Sequence, residues 1–136
     1  MLIRDYQPGD FPQIEALWKE TGIYTVERGD TPESIERCKL MGGRFLVMED
    51  PGTGDIVATS WLTVDGRRIF LHHFAVLPSC QNQGLGRMLA LKSLEIAREE
   101  GYPVKLEVHA ENRPAVHLYE SLGFKLFEGY NVYIIY

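Results

Sequence analysis

The segment Val76-Leu77-Pro78-Ser79-Cys80-Gln81-Asn82-Gln83-Gly84-Leu85-Gly86-Arg87 is where residue types and spacing first suggest chemistry. An apolar run enters a turn with glycines spaced by one residue, and a helical pattern begins at once. Glycine lets a backbone approach a ligand closely, and the unpaired N–H groups and dipole at a helix start attract anions such as phosphate. Arg87 adds a cation beside them. A Walker loop would need Gly-Lys followed by Ser or Thr, and a dinucleotide fingerprint would need a third glycine where Leu89 stands. Two readings stay open: plain turn residues, or a pyrophosphate cradle of another kind. Just upstream, His72 and His73 titrate near neutrality, and strand alternation is expected to send them to opposite faces.

These residues need a frame, and the hydrophobic periodicity supplies one. Leu2 to Tyr6 reads as a strand, followed by a helix that Asp10 would cap with Gln13 at capping-box spacing. Thr31-Pro32-Glu33 starts a second helix, and Gly42-Gly43 stops it. Arg44 to Glu49, Ile56 to Val64 and Arg68 to Leu77 form a three-strand meander, with Asp65-Gly66 as a tight hairpin. Leu85 to Glu100 is helical up to Gly101, Val104 to Val108 is a strand, and Asn112 to Leu122 is a helix ending at Gly123. Phe124 to Phe127 and Val132 to Tyr136 read as closing strands around Gly129. The order βααβββαβαββ predicts an α/β (α+β) architecture: a mixed, mostly antiparallel central sheet of about six to seven strands with helices on both faces.

Length and composition bound the class. At 136 residues the chain fits one domain, 1–136, with no repeat or linker, and 45% apolar with 24% charged residues matches an average globular protein. No apolar run approaches the roughly 20 residues of a spanning helix, and the charges in Met1 to Tyr6 do not suit a secretory signal, so a cytoplasmic setting without membrane contact is expected. Cys38 and Cys80 have no second Cys or His at metal-ligand spacing, which suggests free thiols and no metal. A net charge of -5 disfavours nucleic acid and mildly favours a cationic partner such as an amine.

Gln81-x-x-Gly84-x-Gly86, after a strand ending Ala75-Val76-x-Pro78, resembles the acyl-CoA signature of the GNAT superfamily of N-acyltransferases. The run from Leu106-Glu107-Val108 through Asn112, Leu118-Tyr119-Glu120 and Gly123-Phe124 is similar to that superfamily's next strand and helix. Together these cover about residues 69 to 124; Gln81 stands where the commonest form has Arg. The resemblance implies an acetyl-CoA-dependent N-acetyltransferase that moves the acetyl group directly to a primary amine: a protein N-terminus, a lysine or a small molecule. A rival from another class is a non-catalytic acyl-CoA-binding module, with the same cradle and no working base.

The resemblance also assigns residues. Pyrophosphate would rest on the amides of Asn82, Gln83, Gly84, Leu85, Gly86 and Arg87, while pantetheine runs along Phe74, Ala75 and Val76, whose N–H groups could stabilise a developing oxyanion. Tyr119 matches the family's general acid, with a core aromatic as the alternative, since it shares a helical face with Ala115 and Leu122. The amine, with a pKa of ~10.4 if lysine-like, needs a base. His72, two residues before Phe74-Ala75-Val76, corresponds to a base-bearing position in some members, and Glu107 corresponds to a catalytic Glu in others. Asn112 is expected to cap its helix and, by resemblance, to touch the pantetheine arm. His109 and His117 read as structural or surface residues. Glu27, Arg28 and Asp30 read as a solvated loop, in a place where the family often shapes its acceptor pocket. The chain could be a monomer or a homodimer.

Overall fold

Antiparallel pairing dominates the architecture. In the computed structural model, which describes residues 1–136, β1 (Leu2–Asp5), β2 (Arg44–Glu49), β3 (Ile56–Val64) and β4 (Ile69–Val76) pair antiparallel in sequence order. β5 (Val104–Leu106) then joins β4 in parallel, completing one sheet of five strands in the order β1-β2-β3-β4-β5. The β3–β4 hairpin closes where expected: Asp65 Oδ1 accepts the N–H groups of Arg67 and Arg68 at 2.7 and 2.8 Å, with Gly66 at φ +87. The parallel β4–β5 pair needs a crossover, which α3 (Leu85–Glu100) provides.

Helices cover both faces because alternate residues of the strands are apolar. Leu46 and Met48 of β2 join Leu62, Ile69 and Leu71 in a core against Leu85, Leu89, Ile96 and Ala97 of α3. Phe45 and Val47, one residue out of phase, join Trp61 and Ala75 in a second core against α1 (Phe11–Thr21) and α2 (Pro32–Leu40), through Ile14, Leu17, Trp18 and Ile35. Thr31 caps α2, its hydroxyl accepting the Ser34 N–H at 3.2 Å. The start of α1 differs from expectation. Asp10 does not cap it; a short 3-10 turn, Pro8–Asp10, precedes it, and the Asp10 carboxylate takes Arg4 in a fork at 2.9 Å and the Gln7 N–H at 2.8 Å. Gln13 instead accepts the Ile56 N–H at 2.9 Å, at the start of β3. An acidic residue can serve a distant Arg better than its own helix, and sequence spacing does not reveal that partner.

The sheet has one irregularity that matters for function. Thr59 pairs with Ala75 and Trp61 with His72, so Ser60 alone faces both His73 and Phe74. This is a β-bulge, and its extra residue, His73, has a left-handed φ of +43. The bulge is held from behind: Thr59 Oγ1 donates to the His73 carbonyl at 2.8 Å and accepts from Trp18 Nε1 at 3.0 Å. On the other face the buried hydroxyls of Ser60 and Ser93 lie 2.8 Å apart and tie β3 to α3.

The chain divides into a larger unit, Met1–Leu106, and a smaller one, Glu107–Tyr136. The smaller unit contains α4 (Arg113–Ser121), with Asn112 Oδ1 accepting the Ala115 N–H at 3.3 Å as an N-terminal cap. It contains no strand. The expected strands at Phe124–Phe127 and Val132–Tyr136 are absent, and β5 ends at Leu106 rather than Val108, so the sheet has five strands and not six or seven. Tyr133 and Ile135 are 88% and 96% exposed. Their β-branched and aromatic types favour a strand only when a ladder partner is in place. No helix is long and apolar enough to cross a membrane.

Candidate functional site

The bulge overturns the alternation expected for the two histidines. With one extra residue in β4, His72 and His73 both line a single cavity of about 260 Å³, together with Arg28, Asp30, Arg37, Trp61 and Thr63. They are not equivalent. The His72 ring stacks on Phe70, with centroids 4.3 Å apart, and its Nε2 lies 2.8 Å from the Thr63 hydroxyl. Burial, with His73 as a neighbouring like charge and a smaller opposing pull from Asp30, pushes the His72 imidazole down to about 4. It is neutral at pH 7.

His73 is built as an ion-pair partner. Its Nε2 lies 2.9 Å from Asp30 Oδ1, and the Asp30 side chain is only 2% exposed. The second carboxylate oxygen accepts the Thr25 N–H at 2.7 Å, which fixes the carboxylate's orientation. The His73 ring lies 4.4 Å from Trp18 and 5.5 Å from Trp61. A buried carboxylate on one nitrogen orients the ring, as a general base requires. Asp30 is therefore no solvated loop residue: Gly29 at φ +89 turns the chain so that Asp30 enters the cavity.

The glycine turn has the form an anion cradle needs. Asn82 and Gly84 take φ of +62 and +78, and Gly84 precedes the 16-residue α3 without any side-chain cap on its first N–H groups. A Cβ built at Gly84 would meet nothing within 4 Å, so the glycine is required by its left-handed φ and not by crowding from the protein. Gly86 lies inside the first turn of α3, and the Leu85 side chain is buried in the core, so both offer only backbone. The Gln81 side chain donates to the Val76 carbonyl at 3.0 Å, bracing the strand end against the turn. Phe74 and Val76 pack on the α3 side and Ala75 on the other, as the bulge dictates.

In the smaller unit, Tyr119 is buried and meets Phe124 edge-on at 5.7 Å; burial pushes its phenol up to about 12, so it holds its proton at neutrality. Glu107 is exposed. His109 Nδ1 accepts the Glu111 N–H at 3.2 Å, a structural role. Sequence reasoning missed Arg37, Trp61 and Thr63. The signal available was the spacing of Ser34, Arg37 and Cys38, three and four residues apart on one face of α2, and all of them line the cavity.

Comparison with known proteins identifies the family. The acetyltransferase (GNAT) family model matches residues 11–124. A mycothiol acetyltransferase of Thermomonospora curvata is 43% identical over 137 residues, covering 91% of this chain and 44% of that protein. The L-amino acid N-acyltransferase MnaT of Escherichia coli is 33% identical over 136 residues, covering 91% and 79%. Among solved structures, the ribosomal-protein-S18-alanine N-acetyltransferase of Escherichia coli superposes with a TM-score of 0.76 at 25% identity, covering 91% of this chain and 77% of that one. The chain spans less than half the length of the mycothiol acetyltransferases it matches, 29% of one and 44% of another.

Proposed function

The chain belongs to the acetyltransferase (GNAT) family, and from that premise we propose that it is an N-acetyltransferase moving the acetyl group of acetyl-CoA directly to a primary amine. The observation that carries the reading is a conjunction within the larger unit. An uncapped helix start follows the bulged strand in the chain, and the bulge brings an imidazole to a cavity where a buried carboxylate orients it. Relatives that cover most of the chain are named as acyltransferases acting on amines, including an L-amino acid and a ribosomal-protein alanine.

Acetyl-CoA supplies an activated acyl carbon, to which a C–N bond forms as the C–S bond breaks. The chain's residues have the remaining work. The amides of Asn82 to Arg87 hold the pyrophosphate, and backbone groups of Phe74, Ala75 and Val76 align the pantetheine arm, with Asn112 assisting. Backbone N–H groups near Phe74 and Val76 are suited to polarise the thioester carbonyl. The family resemblance assigns Tyr119 the role of acid for the departing sulfur, and its raised pKa keeps that proton available at neutrality.

For the base we favour His73, backed by Asp30. His72 has an imidazole at about 4 and accepts a proton poorly at neutral pH. Release of CoA thiol against a panel of amines tests the activity. His73→Gln should lower kcat/KM and remove the acidic limb of its pH profile, while His72→Gln should keep that limb. If both variants retain the limb and Glu107→Gln alone loses activity with CoA binding intact, the base is Glu107.

A further inference from the structure

We infer that Thr59 is a positioning residue for the transfer: its hydroxyl, buried behind the sheet bulge, fixes where His73 presents its imidazole. This rests on the reading of His73 as the base of an acetyltransferase and adds the group that holds it in place.

The bulge carries a conformational cost that its surroundings must offset. His73 has φ +43, a left-handed value that residues with a side chain adopt rarely, and such conformations persist only where neighbouring groups over-determine them. The β3–β4 ladder supplies little restraint at this point, because Ser60 alone faces both His73 and Phe74. The restraint comes from α1 by way of β3. Trp18 Nε1 donates to Thr59 Oγ1 at 3.0 Å, and Thr59 Oγ1 donates to the His73 carbonyl at 2.8 Å.

An indole N–H can only donate and a carbonyl can only accept, so the group between them has to do both, as a hydroxyl does. Trp18 and Thr59 are fully buried, and removing the hydroxyl would leave a buried donor and a carbonyl without their partner. The relay grips His73 twice. Thr59 holds its carbonyl, and the indole that Thr59 anchors is the one whose ring lies 4.4 Å from the His73 ring. With Asp30 Oδ1 at 2.9 Å from Nε2, the backbone, the ring face and the ring nitrogen of His73 are fixed from β3, from α1 and from the loop before α2. Thr59 is not among the residues lining the cavity, so it meets no acceptor and its influence passes through His73 and Trp18.

The test separates hydroxyl from packing. Thr59→Val keeps the volume and removes the hydroxyl, whereas Thr59→Ser keeps the hydroxyl and removes a methyl group. The acceptor is the fastest of a panel of the common amino acids, their carboxamides, a lysine peptide and cadaverine, followed by CoA release from the purified chain. Thr59→Val should lower kcat by roughly 10- to 100-fold, the scale of a small misplacement of a reacting group, with acetyl-CoA affinity unchanged. Thr59→Ser should retain most of the wild-type kcat even if its Tm is the lower of the two. In a His73→Gln background, Thr59→Val should cost nothing further in kcat. Nuclear magnetic resonance of the chain with labelled histidine reads the position without any acceptor: the His73 amide shift and the ring contacts with Trp18 should change in Thr59→Val and persist in Thr59→Ser. Should Thr59→Val not fold, Thr59→Cys against Thr59→Ser asks the same question at equal size, because a thiol is a weak donor and acceptor; the Cys variant should then show the lower kcat.

Wild-type kcat in Thr59→Val, equal losses in the valine and serine variants, unchanged His73 signals, or a full further loss in the His73→Gln background overturns the proposal while the acetyltransferase reading stands. If His73→Gln is as active as the wild type, the base assignment falls and the proposal with it. If no amine of the panel releases CoA although acetyl-CoA binds, the acetyltransferase reading falls too.

Discussion

The turn that opens α3 and the cavity beside the bulge are built from opposite materials. In the turn the groups proposed to bind are backbone N–H groups, the side chains of Gln81, Asn82 and Gln83 are exposed, and the shape depends on left-handed φ values at Asn82 and Gly84. In the cavity the useful groups are side chains, Asp30, His73 and Trp61, each fixed by a partner from another element. The difference teaches where each is vulnerable. A backbone site tolerates changes of side chain except where conformation or close approach forbids a Cβ, whereas a side-chain site is damaged by losing one charge.

The sharpest way to break this comparison is Asp30→Asn. The amide oxygen can still accept the Thr25 N–H, but the charge facing His73 is gone, and kcat/KM should fall by about 10²-fold or more with acetyl-CoA affinity preserved, as steady-state kinetics and calorimetry would show. Tyr119→Phe should lower kcat on a similar scale, about 10²-fold, with the fold intact; wild-type turnover would make Tyr119 a packing aromatic. Gly84→Val should remove the thermal stabilisation by acetyl-CoA, because a branched side chain is strained at φ +78 and, in the proposed cradle, would obstruct the phosphates. Gly84→Asn, better suited to that φ, separates strain from obstruction.

Acid titration gives a smaller effect. His72 is about 4 when folded against 6.5 for the free imidazole, so between those values the unfolded chain binds the extra proton. Stability is then independent of this group above pH 6.5 and declines as pH falls from 6.5 toward 4. His72→Phe should flatten that window in Tm measurements. Smallest of all, Gln83→Ala should change acetyl-CoA affinity and stability by no more than about 0.5 kcal/mol, because the proposed cradle uses only its N–H. A large loss there would end the distinction between the two regions.

The turn was readable from sequence and the cavity largely was not, for the same reason. Backbone chemistry leaves a written trace, Gly84-Leu85-Gly86 after a strand, and the meander, α3 and the Asp65-Gly66 hairpin are equally local. The bulge depends on Thr59, Trp18 and Ser93, which reach His73 and Ser60 from other elements, so a period of two gave the wrong face for one histidine. Asp30 likewise reads as a loop acid until its burial beside His73 is known. The closing strands failed for a third reason: the residue types at Val132 to Tyr136 suit a ladder, but types alone do not supply the strand to pair with.

The stack behind the bulge also makes the protein its own spectrometer. Trp18 and Trp61 are the chain's two tryptophans, their rings nearly parallel at 6.1 Å, and both lie against His73. All indole fluorescence therefore originates beside the cavity. Emission followed against added acceptor should give its binding isotherm without label or coupled assay.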